Sequence, residues 1–186
     1  MSSILLYHSS NYILKDPDLH YGRKNADFAQ GFYTSEEKEF CLKWSRETKG
    51  MPTYINSYAL NPAGLKFLTL SKDEEWISYL LENRSLKEDR YAEYDVIVGP
   101  IAGDILYDTF GIGSSGMLPK ELSTKLMLAG PNYTQTVIKS EKAKSQLTFL
   151  GAEELSQETL RHYKAILKKE EEAYQKEIAG LFESYF

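Results

Sequence analysis

Short apolar runs of strand length recur along the whole chain, and they constrain its fold more than any other feature of the sequence. The first covers residues 4–8 and the last covers residues 147–150, with helical patterns and turn-rich stretches between them. Runs of this length predict β-strands, whereas apolar residues at three- and four-residue intervals predict helices. We therefore expect an α+β fold whose first strand lies far in sequence from its last ones.

The composition excludes several classes of protein. A length of 186 residues fits one domain better than two, and 42% apolar with 26% charged residues exclude a wholly disordered chain. A net charge of −5 argues against a general nucleic-acid binder, which needs basic side chains to neutralise phosphates. No apolar run approaches the roughly 18 residues of a membrane span, and the first residues lack a secretory pattern. A cytoplasmic protein that does not act at a membrane is the expectation.

The segment that follows residues 31–34 has the pattern of a helix. Ser35 is the expected N-cap, and the helix is expected to run to about Thr48. Cys41 and Trp44 lie on its apolar side. Both are therefore predicted to be core residues, the cysteine as an inert buried thiol.

A longer helix is predicted from Glu153 to the end, because apolar residues recur there at three-, four- and seven-residue intervals. The chain is accordingly divided into a main domain, residues 1–152, and a C-terminal helix, residues 153–186. That helix packs on the main domain or on a partner. Residues 168–172 of this helix read KKEEE, so lysines and glutamates lie at helical spacing. This pattern predicts a helix face exposed to solvent.

His8 is the histidine best placed to take part in chemistry. It ends the first predicted strand and is followed by Ser9 and Ser10, which leave room for a ligand. The alternative is a core histidine with satisfied hydrogen bonds, and the sequence leaves both interpretations open. The single cysteine excludes an internal disulfide and a cysteine-built zinc site. No histidine pair has metal-ligand spacing, so no metal is expected.

Three short motifs follow one another in a distinctive order. Residues 7–10 read YHSS, residues 29–35 read AQGFYTS, and residues 132–140 read NYTQTVIKS. This order resembles the ADP-ribosyltransferase superfamily, in its His-Tyr-(Glu/Asp/Gln) branch of diphtheria-toxin-like and poly-ADP-ribose-polymerase-like enzymes. Ser9 stands where that branch usually has glycine after the histidine, and Ala29 stands at the first glycine of its second motif.

The middle of the chain adds a closer similarity. Residues 94–104 (YDVIVGPIAGD) together with residues 135–149 look like those of a bacterial family that carries a domain-of-unknown-function label. That family is often encoded beside a small partner protein in a toxin–antitoxin-like arrangement. The resemblance, over roughly residues 4–155, implies an ADP-ribosyltransferase-like split β-sandwich with two short facing sheets around an NAD cleft and flanking helices. It also implies NAD as co-substrate and a small antitoxin as a possible partner.

The resemblance assigns roles to particular residues. It implies that His8 hydrogen-bonds a ribose hydroxyl, that Tyr33 stacks on nicotinamide, and that Gln135 is the third catalytic residue. A glutamine keeps the hydrogen bond of the more usual glutamate but loses its negative charge, which costs transition-state stabilisation. The further candidates for NAD binding are Ser9, Ser10, Arg23, Thr34 and Asp104.

Two of these candidates, Arg23 and Asp104, have a structural alternative. Arg23 reaches the pyrophosphate of NAD or is a solvated surface charge. Asp104 supplies the negative charge that Gln135 lacks, or it is only an acid at the start of a helix. The sequence does not separate these alternatives.

The prediction that follows is an NAD-dependent mono-ADP-ribosyltransferase of toxin type. It would cleave the nicotinamide–ribose bond and transfer ADP-ribose to a protein or nucleic-acid acceptor. Poly-ADP-ribose synthesis is not expected, because the glutamate usual for chain elongation is absent at Gln135. The alternative is a catalytically inactive module of the same fold that captures a partner protein or NAD without turnover, and both Gln135 and Ser9 favour it.

Overall fold

Seven β-strands form two sheets in the computed structural model, which describes residues 2–102, 119–130 and 132–185. Each strand coincides with a short apolar or alternating run, as expected for half-buried strands. In chain order the strands are β1 (Ile4–Ser10), β2 (Phe32–Thr34), β3 (Tyr54–Leu60), β4 (Phe67–Thr69), β5 (Val96–Pro100), β6 (Thr134–Ile138) and β7 (Leu147–Glu154).

Five helices occur within the same described ranges, so the fold is α+β as predicted. They are α1 (Lys38–Lys43), α2 (Glu74–Arg84), α3 (Lys120–Leu128), α4 (Glu141–Ser145) and α5 (Gln157–Tyr185). None of them, within the part of the chain that the structure describes, has a stretch long and apolar enough to cross a membrane.

The two sheets meet through a short contact between β1 and the end of β2. One sheet is antiparallel in the order β1-β3-β7, and the other has the order β2-β6-β5-β4 with only β4 and β5 parallel. Tyr7 and Ser35 form an isolated antiparallel bridge, with N···O distances of 2.8 and 3.0 Å. Because this bridge joins the two sheets, it brings the end of β1 close to β2.

Apolar side chains fill three clusters around the sheets. Leu6 and Tyr58 of the first sheet pack with Phe32 and Ile138 of the second, so one core lies between the sheets. Strand residues alternate between faces. The opposite face of the second sheet therefore carries a separate core, in which Val137 packs with residues of α2. A third cluster, made of Cys41, Ile55, Leu155 and Leu160, joins α1 and the start of α5 to the first sheet.

Helix α1 is shorter than the sequence predicts, and its first residue is different. Ser35 is not its N-cap, because Glu37 occupies that position; the Ser35 hydroxyl accepts from the Glu37 amide nitrogen at 3.1 Å and donates to the carbonyl oxygen of Thr134 at 2.9 Å, at the junction between the sheets. The helix begins at Lys38 after an extended Glu37, and it ends at Lys43 rather than near Thr48. Cys41 is buried as predicted, and burial raises the pKa of its thiol to about 12.

Helix α5 begins later than predicted and packs on this same chain. Strand β7 continues to Glu154, so the helix starts at Gln157, and Gly180 does not interrupt it. The charge run at residues 168–172 is not wholly solvated, which corrects the sequence-based expectation. Glu170 accepts hydrogen bonds from buried Lys43 at 2.8 Å and from the Tyr133 hydroxyl at 2.6 Å, and these bonds tie α5 to α1 and to the start of β6.

Candidate functional site

A cavity of about 720 Å³ opens where β1 meets β2. Its walls come from the end of β1, the loop that follows β1, the start of β2, and the segment that follows α1. The described residues that line it are His8, Ser9, Ser10, Asn11, Tyr12, Leu14, Asp16, Pro17, Asp18, Tyr21, Gly22, Gly31, Phe32, Tyr33, Trp44 and Arg46.

His8 lies on the wall of this cavity with one ring nitrogen already engaged. Its Nδ1 is 2.7 Å from the carbonyl oxygen of Tyr33, and its ring centroid is 4.7 Å from that of Phe32. A carbonyl only accepts, so Nδ1 carries the proton and donates it. Burial lowers the pKa of His8, which favours the neutral ring. Its Nε2 is therefore a hydrogen-bond acceptor in the neutral form.

Tyr33 also lines the cavity, and its hydroxyl is bonded to the turn just before β2. The hydroxyl donates to the carbonyl oxygen of Ala29 at 2.6 Å and accepts from the amide nitrogen of Phe28 at 2.9 Å. Burial raises the pKa of Tyr33 well above its usual range, so the phenol stays protonated. The two hydroxyl bonds hold the ring in one orientation, and Tyr33 offers a ligand no phenolate.

The turn that receives the Tyr33 hydroxyl is held from two further directions. The Lys139 ammonium donates to the Phe28 carbonyl oxygen at 2.6 Å, and the Arg84 guanidinium donates to the Asp27 carboxylate at 2.6 and 2.8 Å. Gly31 follows the turn, and a Cβ there would lie 2.7 Å from the carbonyl oxygen of Ile138. Only glycine lets β2 approach β6 this closely.

Replacing Ala29 with glycine is expected to stabilise the protein by about 0.5–1 kcal/mol. Ala29 has a φ of 57°, in the left-handed region where a Cβ is unfavourable. Glycine removes that penalty, and its larger loss of chain entropy only partly offsets the gain. Urea unfolding measures the change. Ala26→Gly in the same loop is the matched control and should destabilise, so equal effects of the two substitutions would contradict the expectation.

Gln135 lies on strand β6, which pairs with the strand that carries Tyr33. Its side chain is 8% exposed, and its Nε2 lies 3.5 Å from the carbonyl oxygen of Pro100 on the neighbouring strand β5. It shares a face of the second sheet with Val137, which is paired with Tyr33. Gln135 is not among the described residues that line the cavity.

The other sequence-predicted residues divide between the cavity and its surroundings. Ser9 and Ser10 line the cavity, and the Ser9 hydroxyl is 2.7 Å from that of Ser45. Thr34 is buried, with its hydroxyl donating to the Thr136 carbonyl oxygen at 2.6 Å, and Arg23 is exposed outside the described lining. Asp104 lies outside the described residues.

The sequence analysis missed most lining residues as site residues, Asp16 and Asp18 among them. Trp44 is 36% exposed and lines the cavity, so its assignment to the core was wrong. It follows the last residue of a helix that is shorter than predicted, which turns it out of the core. Tyr12 and Tyr21 are 59% and 89% exposed at the same cavity, and Arg46 lines it as well. The sequence contains 14 tyrosines, which was the available signal for aromatic side chains at a site. It did not indicate which tyrosines are exposed.

These residues suit a ligand that combines flat rings with hydroxyl groups. Trp44 offers an exposed ring for stacking, the aromatic Tyr33 lines the same cavity, and the Nε2 of His8 offers an acceptor for a hydroxyl. Asp16 and Asp18 add carboxylates, whereas Arg46 adds a positive charge. Within residues 2–102, 119–130 and 132–185 there is no group of three or more His, Cys, Asp or Glu side chains that could hold a metal ion.

Comparison with known proteins identifies a family but no characterised relative. No curated protein and no solved structure matches the chain. One family model, described as a protein of unknown function (DUF3990), matches residues 4–149. The matched range is more than half of the chain and contains His8, Tyr33, Gln135 and every described residue of the cavity wall. The chain therefore belongs to the DUF3990 family.

Proposed function

We propose that this protein is an NAD-dependent mono-ADP-ribosyltransferase built on an ADP-ribosyltransferase-like split β-sandwich. The observation that carries the proposal is the pairing of His8 with Tyr33. The two residues come from different sheets, are joined by a 2.7 Å hydrogen bond, and line one cavity of about 720 Å³. A cavity of this volume falls within the range of about 300–1,000 Å³ that small-molecule sites span.

In this proposal His8 positions the ribose next to nicotinamide. Its Nδ1–H donates to the Tyr33 carbonyl, so Nε2 is left to accept a hydrogen bond from a ribose hydroxyl. Tyr33 stacks on the nicotinamide ring, with its own ring held by the hydroxyl bonds to Phe28 and Ala29. Orienting the sugar and the leaving ring in this way lowers the entropy cost of reaching the transition state.

The reaction breaks the bond between C1′ of the ribose and the nicotinamide nitrogen. The electron pair of that bond leaves with nicotinamide, and an acceptor nucleophile then bonds to C1′ and releases its proton. The products are ADP-ribosyl acceptor, nicotinamide and one proton. Positive charge develops on the ribose during this step, and a nearby carboxylate stabilises it. Asp16 and Asp18 are the carboxylates on the described cavity wall.

The proposal includes a toxin-type role in the cytoplasm, where NAD is available, with a small antitoxin as partner and a protein or nucleic acid as acceptor. Its support is the sequence resemblance, since toxin–antitoxin-like gene pairs are a feature of the family that the chain resembles. An antitoxin would restrain turnover in the producing cell.

The second candidate is an inactive module of the same fold that binds NAD or a partner without turnover. One observation favours it. The Gln135 side chain is uncharged, buried and directed to Pro100, and it is not part of the described cavity wall. Without an anionic group next to the ribose, the developing charge would lack its usual stabilisation.

Nicotinamide release from NAD separates the two candidates. We expect release by the wild-type protein, a loss of about 100-fold in Tyr33→Ala because nicotinamide is no longer oriented, and retained or raised turnover in Gln135→Glu. His162→Ala is the control, because His162 is exposed on α5 and lies away from the described cavity wall. Circular dichroism of each variant verifies folding.

Two results would contradict the transferase proposal. One is a folded wild-type protein that binds NAD in calorimetry and releases no nicotinamide at high enzyme concentration, which would favour the binding module. The other is turnover that Tyr33→Ala leaves at the level of His162→Ala, which would place the reaction elsewhere.

A further inference from the structure

The charges on the cavity wall are unevenly distributed. Arg46 is the one arginine or lysine side chain among the described residues that line the cavity. The carboxylates of Asp16 and Asp18 come from the loop after β1, whereas Arg46 comes from the segment after α1. His8 adds no positive charge in its neutral form, because burial lowers its pKa. A negative group in the cavity therefore has one cationic side chain to bind.

The carboxylates of Asp16 and Asp18 already have partners, and neither partner is Arg46. Asp16 forms a 3.0 Å ion pair with Lys144, and Asp18 accepts a hydrogen bond from the backbone amide of His20 at 2.8 Å. Arg46 differs, because its guanidinium has no hydrogen bond or ion pair with any residue in the described part of the chain. Its donors remain available to a ligand.

The backbone that carries Arg46 is nevertheless held on both sides. The Ser45 hydroxyl donates to the Cys41 carbonyl oxygen at 2.8 Å and lies 2.7 Å from the Ser9 hydroxyl. The carbonyl oxygen of Arg46 accepts a hydrogen bond from the Thr53 hydroxyl at 3.1 Å. Because the backbone at Arg46 is held, less conformational entropy is lost when a ligand binds the Arg46 guanidinium.

We propose that Arg46 binds the phosphate of a nucleotide in this cavity. A guanidinium presents a planar fork of N–H donors that matches phosphate oxygens, and such charge-assisted bonds are stronger than neutral ones. The neighbouring Trp44 and Tyr33 rings suit the flat parts of the same ligand. The inference rests on the proposed function, since the same cavity holds the nucleotide, but it assigns the phosphate to Arg46 instead of Arg23.

Calorimetry at low ionic strength tests this assignment with four probes. NAD and ADP-ribose carry the diphosphate, nicotinamide riboside lacks it, and inorganic phosphate carries no rings. We expect Arg46→Gln to weaken NAD and ADP-ribose binding about tenfold and to leave nicotinamide riboside binding unchanged. Arg46→Lys should recover part of the affinity because it keeps the charge, and salt should weaken the wild type more than Arg46→Gln.

Arg161→Gln is the matched control, because Arg161 is exposed on α5 and outside the described cavity wall. Equal NAD and ADP-ribose affinities of Arg46→Gln and Arg161→Gln would overturn the inference, as would a loss confined to Arg23→Gln. Inorganic phosphate that binds as tightly as ADP-ribose would overturn the nucleotide assignment. Absence of any nucleotide binding by the wild type would overturn both proposals. Arg46-dependent ADP-ribose binding without nicotinamide release would support this inference while contradicting the transferase function.

Discussion

Replacing Asp89 with asparagine is expected to lower the free energy of unfolding by about 3–5 kcal/mol. Asp89 forms a 2.9 Å ion pair with Lys139, and the two side chains are only 18% and 6% exposed. Asparagine keeps the size of the side chain but removes its charge. The Lys139 ammonium would then be buried with the Phe28 carbonyl oxygen as its remaining described partner, and an uncompensated buried charge is costly.

The effect of this substitution should depend on pH. Burial by itself would raise the pKa of the Asp89 carboxyl, but hydrogen bonds and the charge of Lys139 outweigh burial and hold that pKa below its usual value. A carboxyl with a lowered pKa in the folded state stabilises the protein above its unfolded pKa of about 3.9. That contribution is lost as the pH falls through the folded pKa. The difference between wild type and Asp89→Asn should therefore be constant near neutral pH and shrink below about pH 4.

Glu153→Gln is the control for Asp89→Asn. It breaks an ion pair with Lys38 whose N···O distance is 2.6 Å but whose side chains are 40% and 62% exposed. Exposed pairs contribute about 0–1 kcal/mol, so this variant should unfold close to the wild type in urea. Similar urea midpoints for the two variants would show that the Asp89–Lys139 pair is solvated in solution, contrary to the structure.

The two tryptophans should respond in opposite ways to truncation. Trp76→Ala is expected to destabilise by about 3–5 kcal/mol, because a large core side chain is removed. Trp76 is 1% exposed, and its Nε1 donates to the Pro100 carbonyl oxygen at 3.0 Å, which would lose this bond. Trp44→Ala is expected to change stability by less than about 1 kcal/mol, because Trp44 is 36% exposed at the cavity.

Urea unfolding of the two variants measures this contrast, and fluorescence adds a second readout. In Trp76→Phe the remaining tryptophan is Trp44, whose emission should be that of a partly solvated indole and should change when ADP-ribose is added. In Trp44→Phe the remaining emission should be that of a buried indole and should not respond to ADP-ribose. A buried-type spectrum from Trp44 would contradict its position at the cavity.

Local sequence patterns predicted most elements of the fold. The apolar run at residues 4–8 became part of β1, and the run at residues 147–150 became the start of β7, because short apolar runs favour strands. Helix ends were predicted less well. Ser35 has the chemistry of an N-cap, yet its hydroxyl bonds to Thr134, a residue 99 positions away. Helix α4 was missed because five residues carry too little periodicity.

The candidate site was predicted only in part. The motif at residues 7–10 and the motif at residues 29–35 contribute His8 and Tyr33, and the bridge between Tyr7 and Ser35 brings these motifs together. The third motif assigns Gln135 to the same site, and that assignment stays a prediction; in the structure its Nε2 lies 3.5 Å from the Pro100 carbonyl oxygen. Trp44 and Arg46 were not predicted, because their exposure depends on where α1 ends.

The sequence by itself determined the α+β class and the order of the strands and of the helices other than α4, since these follow from the periodicity of neighbouring residues. It also carried the family relationship over residues 4–149. Only the tertiary structure decided which side chains share the cavity and which charges are buried. Lys139 and Asp89, or Lys43 and Glu170, are ordinary surface charges in a sequence pattern. They become partners with a buried lysine in each pair, because strand pairing and helix packing bring distant segments together and exclude water from the lysine side chains.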